Sequence, residues 1–435
     1  MTPDEPRAGA DPVALLERPP RARLLMDLGP LRRHRDFRLL WFGQSVTFLG
    51  SMITYVAVPY QVYALTHSSL LVGMLGLVDF LAILSTAFVG GALADAVDRR
   101  RMVFLTEGAL LIGSLLLAGN SLLPHPSVVG LFALNALVSG LDALQRPSLD
   151  ALLPRLVPRE DLVAAAALSS FRMTAGMIAG PAVGGVLIAS AGLGSTYLVD
   201  VASFAVSLVL LQRMRAVPPP PDAARPSLAG VLEGVRYARS RPELMGTYLV
   251  DVNAMFFGMP NALFPALAAG LGGAGVLGLL YSAPAVGALV ASATSGWTPR
   301  IHRHGLAVLW AAGVWGVAIL GFGLSEGLPL ALMMLAVAGG ADMVSGLFRM
   351  TIWNTTVPDA LRGRLAGIEL LSYSSGPTLG NVEAGGVAAL TSPRWSVGVG
   401  GALCVVGTLV LAAALPAFRA YDDRNVRPAA SAPSG

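Results

Sequence analysis

Apolar runs of helix-spanning length recur along the whole chain, separated by short breaks of polar, glycine and proline residues. They cover roughly 37–63, 70–95, 102–122, 127–146, 162–188 and 196–213, and then 244–268, 274–297, 306–325, 328–350, 365–389 and 396–418. Each reaches the ~20 residues that a helix needs to cross a hydrocarbon core of roughly 30 Å. None shows the alternation of a half-buried strand. The pattern predicts an all-α chain that crosses a membrane twelve times.

The breaks fall into two kinds, and charge separates them. All thirty cations are arginines. Eight lie before residue 39, and later bunches sit at 99–101, 146–159, 213–241, 300–303, 349–364 and 419–427. The alternate breaks, near His67, His125, Gly192, Gly272 and Glu326, have no arginine, and the sixth has only Arg394. Cytoplasmic loops of membrane proteins retain Lys and Arg whereas translocated loops lack them. The alternation therefore places both termini in the cytoplasm. The polar, basic first 36 residues lack a short apolar core followed by a cleavage site, so the first span is expected to stay as an anchor.

Composition narrows the function. Of 435 residues, 54% are hydrophobic and 13% charged, and the mean hydropathy is +0.66. The spans leave room for short loops and two tails, with no separate soluble domain. The arginines lie at span ends, which explains the basic balance without nucleic acid. With no lysine there is neither a phosphate-binding Walker A loop nor a Schiff-base residue. Transport would then draw on an ion gradient or a partner. The single Cys404 excludes an intrachain disulfide. The five histidines fall in loops or tails, and no cofactor or metal site is expected. Gly270–Gly275 fits a dinucleotide fingerprint by pattern but follows an apolar span instead of a strand. Asn354-Thr355-Thr356 is a glycosylation sequon by pattern on the cytoplasmic side, and His302 and His304 read as a solvated loop.

The only long internal break, 214–243, divides the chain into 37–213 and 244–418, between tails at 1–36 and 419–435. Its Pro218–Pro221 run cannot be helical, and Leu228–Ala238 fits a short amphipathic helix. The halves repeat one order of residues. Asp142 precedes Pro158 by sixteen residues, followed by Gly180-Pro181-Ala182-Val183-Gly184. Asp342 precedes Pro358 by the same interval, followed by Gly376-Pro377-Thr378-Leu379-Gly380. Duplication of a six-span unit accounts for three elements in register.

Gly90 to Arg101 joins spans two and three. Gly91, Asp95, Arg99 and Arg100 resemble the loop signature of the major facilitator superfamily, with Asp98 where glycine is more usual. The resemblance implies two six-helix bundles that rock about a central site. It also implies that Asp95 meets span eleven near Arg364–Ala366 and holds the outward-facing state. Gly176, Gly180 and Gly184, with Pro181 and Gly185, drift only about 40° per step on a helix and resemble the span-five antiporter motif of exporters. The bland alternative is close helix packing by small residues. Leu152–Glu160, Thr66-His67-Ser68, Thr355–Pro358 and Arg362-Gly363-Arg364 resemble the enterobactin-exporter branch, which also contains macrolide and tetracycline efflux relatives.

Charges inside the spans are the candidate machinery. Each costs about 2.5–3.5 kcal/mol at a helix centre on insertion scales, so Asp79, Arg172, Asp251, Asp342, Glu369 and Glu383 must face a wet cavity or one another. A carboxyl whose solvent access alternates can load and release a proton. One of Asp79, Asp342, Glu369 or Glu383 is expected to couple protons to export, with Arg172 as counter-charge or anion contact. Static ion pairing is the competing reading for each. Asp142 and Arg146 read as a structural pair. In the family, spans one, four, seven and ten line the cavity, which nominates Tyr55, Gln61, Asn135, Tyr248, Asn253, Phe256 and Phe257. The reading is a monomeric proton antiporter of the bacterial plasma membrane that exports a siderophore or amphipathic antibiotic. An uptake permease and a non-transporting sensor or partner subunit remain its rivals. No nucleophile–base pair points to an enzyme.

Overall fold

The computed structural model describes residues 26–96, 98–217, 236–237 and 239–425; side chains at 87–96, 359–364, 366–374 and 425 lie outside the description. The long helices are α1 (Arg35–Thr66), α2 (Ser69–Ala96), α3 (Arg99–Leu122), α4 (Val128–Leu156), α5 (Leu162–Gln212), α6 (Pro242–Phe257), α7 (Phe264–Leu271), α8 (Ala274–Ala293), α9 (His304–Leu324), α10 (Leu328–Thr356), α11 (Asp359–Leu390) and α12 (Pro393–Ala414). No strand occurs among the described residues. The 218–235 part of the long internal break, with most of the expected Leu228–Ala238 helix, lies outside the description.

Local chemistry sets the helix ends. The Asp98 carboxylate caps α3 by accepting from the Arg101 amide at 2.9 Å, a role that glycine at this position would fill less well. Ser127 caps α4 in the same way, accepting from Gly130 N at 3.0 Å. Ser392 caps α12 through Trp395 N at 3.3 Å. The α1–α2 turn passes through His67 in the left-handed region (φ 51).

Although α5 is continuous in hydrogen bonding, it turns back at Gly192, whose φ of 78 and ψ of 172 are not helical. Its neighbours along α1 establish the reversal. Before Gly192, residues 176, 180 and 184 meet Phe48, Met52 and Ile53 in rising order. Beyond it, Tyr197, Asp200 and Ser207 meet Gln61, Thr54 and Gly43 in falling order. The two limbs are the expected spans five and six, joined with no loop because glycine tolerates positive φ.

The expected seventh span, 244–268, is not one helix. It breaks at Gly258–Pro260 into α6, a 3₁₀ turn at Asn261–Leu263, and α7. Pro260 supplies no amide to continue the α6 ladder. This break matters for the site below.

Among the first helices α1 packs along α5, α2 along α4, and α3 against α4 and α5. In the later helices α6 packs along α11, α8 along α10, and α9 against α10 and α12. The second scheme repeats the first, element by element. The two sets meet through α5 with α8 and α2 with α11.

The apolar core is asymmetric from end to end. One cluster joins both sets at the arginine-poor end, combining Val62, Val72, Leu75 and Ile188 with Phe264, Leu277 and Ala388. At the arginine-rich end the described clusters stay within one set. Leu40, Val103, Leu152 and Leu211 form one such cluster, and Val250, Val308, Phe348 and Phe418 form another.

Candidate substrate cavity and the contacts that close it

A cavity of about 490 Å³ lies between the two sets of helices. Its wall is built from α1 to α4 and carries Gln44, Tyr55, Asp79, Glu107, Asn135 and Gln145. Asp79, on α2, accepts from two α4 side chains, Asn135 Nδ2 and Ser139 Oγ, the latter at 2.7 Å. Positions 135 and 139 are one helical turn apart, so α4 presents both donors on one face. Deeper in the wall, Glu107 on α3 is buried and accepts from Gln44 Nε2 at 2.5 Å and Gln145 Nε2 at 3.4 Å. Amide donors offset part of the desolvation that a carboxyl suffers there. Asp79 and Glu107 on the wall of one cavity can exchange protons with whatever solvent reaches it.

The break between α6 and α7 forms the roof. Asn261 donates from Nδ2 to the Tyr55 hydroxyl at 3.3 Å and accepts at its carbonyl from the Tyr281 hydroxyl at 3.2 Å. The Ala262 amide, exposed by the break, donates to Asn381 Oδ1 at 3.0 Å. The Tyr55 and Tyr281 rings meet edge to face, 5.4 Å apart. Residues of α1, α8, α11 and the break therefore interlock over the cavity.

Glycine packing completes the seal on the arginine-poor side. A Cβ on Gly185 would sit 2.7 Å from the Ala274 carbonyl oxygen and 2.8 Å from the Gly278 nitrogen. Ser282 Oγ donates to Ile178 O at 2.7 Å across the same α5–α8 seam. A side chain at 185 must force the helices apart, since backbone cannot yield as a flexible side chain can. Gly185→Val, made with Ser282→Cys in a Cys404→Ser background, is expected to raise thiol labelling at position 282 by roughly tenfold over the Gly185 parent, reflecting a shifted opening equilibrium. Labelling equal to the parent would show that the seam tolerates the bulk.

The remaining candidates separate cleanly. Gly176, Gly180 and Gly184 line the α1 contact, against Phe48, Met52 and Ile53, and Pro181 with Gly185 lies on α8. The stripe serves close packing on two sides. Arg99 donates to Ala151 O at 3.2 Å, and Arg100 donates to Leu211 O and Gln212 O, both at 2.7 Å. Both arginines thus cap carbonyls at the ends of α4 and α5, where a cation suits the helix dipole. The side chains of Asp95 and Glu369, with any contact at Gly91, lie outside the described residues.

Arg172 donates to Gln44 O at 3.0 Å and lies 5.7 Å from the Phe48 ring centre. It braces the α1 backbone at the residue whose amide holds Glu107. Asp142 lines the cavity, within electrostatic reach of Arg146. Glu383 is half-buried on α11 and is not among the cavity-lining residues. Of the seven cavity nominees, Tyr55 and Asn135 line it. Gln61 accepts from the buried Tyr197 hydroxyl at 2.7 Å. Asn253 donates to Cys404 O at 3.0 Å and Thr408 Oγ1 at 3.2 Å. Tyr248 packs beside Leu244 and Val357, and Phe256 and Phe257 meet edge to face at 5.0 Å. Gln61 and Asn253 thus bond neighbouring helices, and none of these five lines the cavity.

Asp251 and Asp342 share one cation. Arg349 pairs through Nη1 with Asp251 and lies 3.5 Å from Asp342 through Nη2. Sequence grouping assigns Arg349 to a loop bunch, but α10 continues to Thr356 and carries it inside. Asp342 and Arg349, seven residues apart on a helix, share a face, and that spacing is the available signal. Likewise His304, expected in a loop, is the buried first residue of α9.

Two further acids escape the sequence reading. Glu107 lies one turn inside the start of span three, where it passes for a boundary residue. Asp200 is 2% exposed and accepts from Thr54 Oγ1 at 2.7 Å and Ser114 Oγ at 2.8 Å. It joins α1, α3 and α5, a structural role consistent with its full set of donors.

Long apolar helices around a cavity closed toward one face are the architecture of a membrane transporter. The chain belongs to the transmembrane secretion effector family of the major facilitator superfamily, whose profile matches residues 26–433. It is 32% identical over 389 residues to the enterobactin exporter EntS of Citrobacter koseri, covering 89% of this chain and 94% of that protein. Its fold resembles the nucleoside transporter NupG, at TM-score 0.71 and 13% identity over 89% of this chain and 99% of that one. It likewise resembles a bacterial homologue of the lysosomal transporter Spinster in an inward-facing, unoccupied conformation, at TM-score 0.67 and 17% identity over 92% and 98% of the two chains. The protein is a multi-pass membrane protein.

Proposed function

We propose that this protein exports a bulky, partly polar small molecule across the bacterial cytoplasmic membrane in exchange for protons. Twelve crossings follow when α5 is counted as two spans and α6 with α7 as one. The arginine bunches then put both termini and the 214–243 linker in the cytoplasm. The units 37–213 and 244–418 act as two six-helix bundles of a monomer. The observation that carries the reading is the cavity with Asp79 and Glu107 on its wall, sealed at the arginine-poor face by the Tyr55–Asn261–Tyr281–Asn381 roof. With that face outward, this is the conformation that loads cargo from the cytoplasm.

Release would follow when the α2–α11 and α5–α8 seams part and the arginine-rich ends approach. The Asp95 loop would lock that second state, as the family resemblance implies. Likeness to EntS favours a siderophore or another amphipathic product as cargo, and the 490 Å³ cavity admits a molecule of that class in part before the bundles open further. The test is flux of a catecholate siderophore and of macrolide and tetracycline probes in inside-out vesicles under an imposed pH gradient. Accumulation that collapses with a protonophore is expected for at least one probe. Gradient-driven uptake into right-side-out vesicles instead would reverse the direction. Binding without flux in either orientation would make the chain a sensor or partner subunit.

A further inference from the structure

The second set of helices carries a concavity apart from the central one. A groove of about 720 Å³ lies on the outer flank of the arginine-rich end, between the end of α8, the 3₁₀ turn at Ser295–Arg300, α9 and α10. Its trough is apolar, with Leu306, Trp310 and Val314 from α9 facing Val344 from α10. Trp310 is 70% exposed and Val314 43%, so this surface faces lipid. Arg300 and Arg303 stand at its mouth.

The charge at that mouth is uneven. Arg424 also reaches the groove, but it is bonded to Asp422 through Nε at 2.9 Å and Nη2 at 2.6 Å. Those bonds hold the Asp422 carboxyl well below its usual range, so the pair stays mutually neutralised. His302 is turned toward Asp423, 3.1 Å away. Arg300 and Arg303 form no ion pair within 4.0 Å among the described residues, and no carboxylate lines the groove. Two exposed guanidinium groups thus overhang an apolar trough, with no carboxylate paired to either among the described residues.

We infer that this groove binds an anionic phospholipid of the adjoining leaflet, its phosphate on Arg300 and Arg303 and one acyl chain along Trp310 and Val314. Dimensions agree. Val314 lies ten residues into α9, which at 1.5 Å per residue is about 15 Å from the helix start, the depth of one leaflet. A guanidinium fork matches phosphate oxygens in a way that water alone does not. Trp297, beside the arginines, sits at the level where indoles favour the headgroup region. Basic pockets between spanning helices are suited to acidic headgroups for these reasons. A zwitterionic lipid would bring its own cation to the same mouth and gain less.

The whole protein in nanodiscs of equal phosphatidylglycerol and phosphatidylcholine tests this, with a diazirine on the acyl chain of one lipid or the other. Peptide mapping after irradiation is expected to show segment 297–314 labelled about tenfold more by the anionic lipid, given two arginines at the surface. Arg300→Gln with Arg303→Gln should bring the ratio near unity while the thermal melt stays that of the parent. Should that variant not fold, raising the salt on the unaltered protein reads the same term, and the ratio must fall. Equal labelling by the two lipids, or a preference that survives both the variant and salt, overturns the proposal. Inorganic phosphate in detergent solution separates the sources. If it competes fully with the lipid at millimolar concentration, the arginines form a soluble-phosphate site and the lipid assignment fails.

Discussion

Asp79→Asn is expected to abolish export driven by a pH gradient while leaving exchange of cargo across the membrane largely intact. The substitution keeps the size and the hydrogen-bonding shape of the side chain, which faces Asn135 and Ser139 on α4, and removes its ionisation. Asp79 lies on α2 within one turn of Gly76, beside the seam that α2 makes with Thr378 and Asn381 of α11. Parting of that seam alters what solvent reaches the carboxyl, which is the requirement for a proton carrier in alternating access. Proton and cargo binding are then linked sites, and loss of a linkage of ordinary size changes the driven step by about 5–150-fold. Gradient-driven flux in proteoliposomes should therefore fall by at least about tenfold, with cargo counterflow reduced by no more than about threefold. Undiminished driven flux would transfer the role to Glu107, and Glu107→Gln is the matching measurement. Loss of counterflow as well would mean that Asp79 holds cargo and carries no coupling.

Much of the fold was legible because the physics that writes it is coarse. Apolar length and arginine bunching need no knowledge of packing, and they located most long helices to within a few residues, although α4 runs on to Leu156, ten residues past the expected end at 146, and backbone chemistry intervened at two further places. At Gly192 a single positive-φ residue takes the place of a loop. At Gly258–Pro260 the hydropathy stays high through a break that only the proline betrays, and the roof residues Asn261 and Tyr281 follow from that break. The site was legible in its chemistry and less so in its partners. Asp79, Tyr55 and Asn135 stand in the cavity as the choice of polar residues within spans anticipated. Asn253 and Gln61 have the same polarity and bond neighbouring helices instead, and Tyr248 packs in an apolar cluster. Which outcome a polar side chain meets depends on helix rotation, and apolar periodicity cannot fix rotation when both faces are apolar. Glu107 is passed over for a related reason, since one turn inside a span reads the same as its boundary.

Arg349→Met carries the largest expected effect on stability. Asp251 is buried with its carboxylate against Arg349, and Asp342 approaches the same guanidinium at 3.5 Å. Removing the shared cation leaves one buried carboxyl unpaired beside a second acid, and breaking a buried pair from one side costs about 3–5 kcal/mol. Most of that falls on Asp251, because Asp342 is nearly half exposed and water can screen it. The thermal midpoint in detergent should drop by several degrees or the variant should fail to accumulate. The diagnostic variant neutralises all three, Asp251→Asn, Asp342→Asn and Arg349→Met. A triad that only ties α6 to α10 becomes a neutral contact of similar volume, and most of the lost stability should return. Export by that rescued protein then decides between the two readings of these acids. Transport near the parental rate assigns them to structure and leaves the cavity carboxyls as the coupling groups. A folded triple variant without driven flux would place a proton-binding step at the α6–α10 contact, in the second set of helices and not at Asp79.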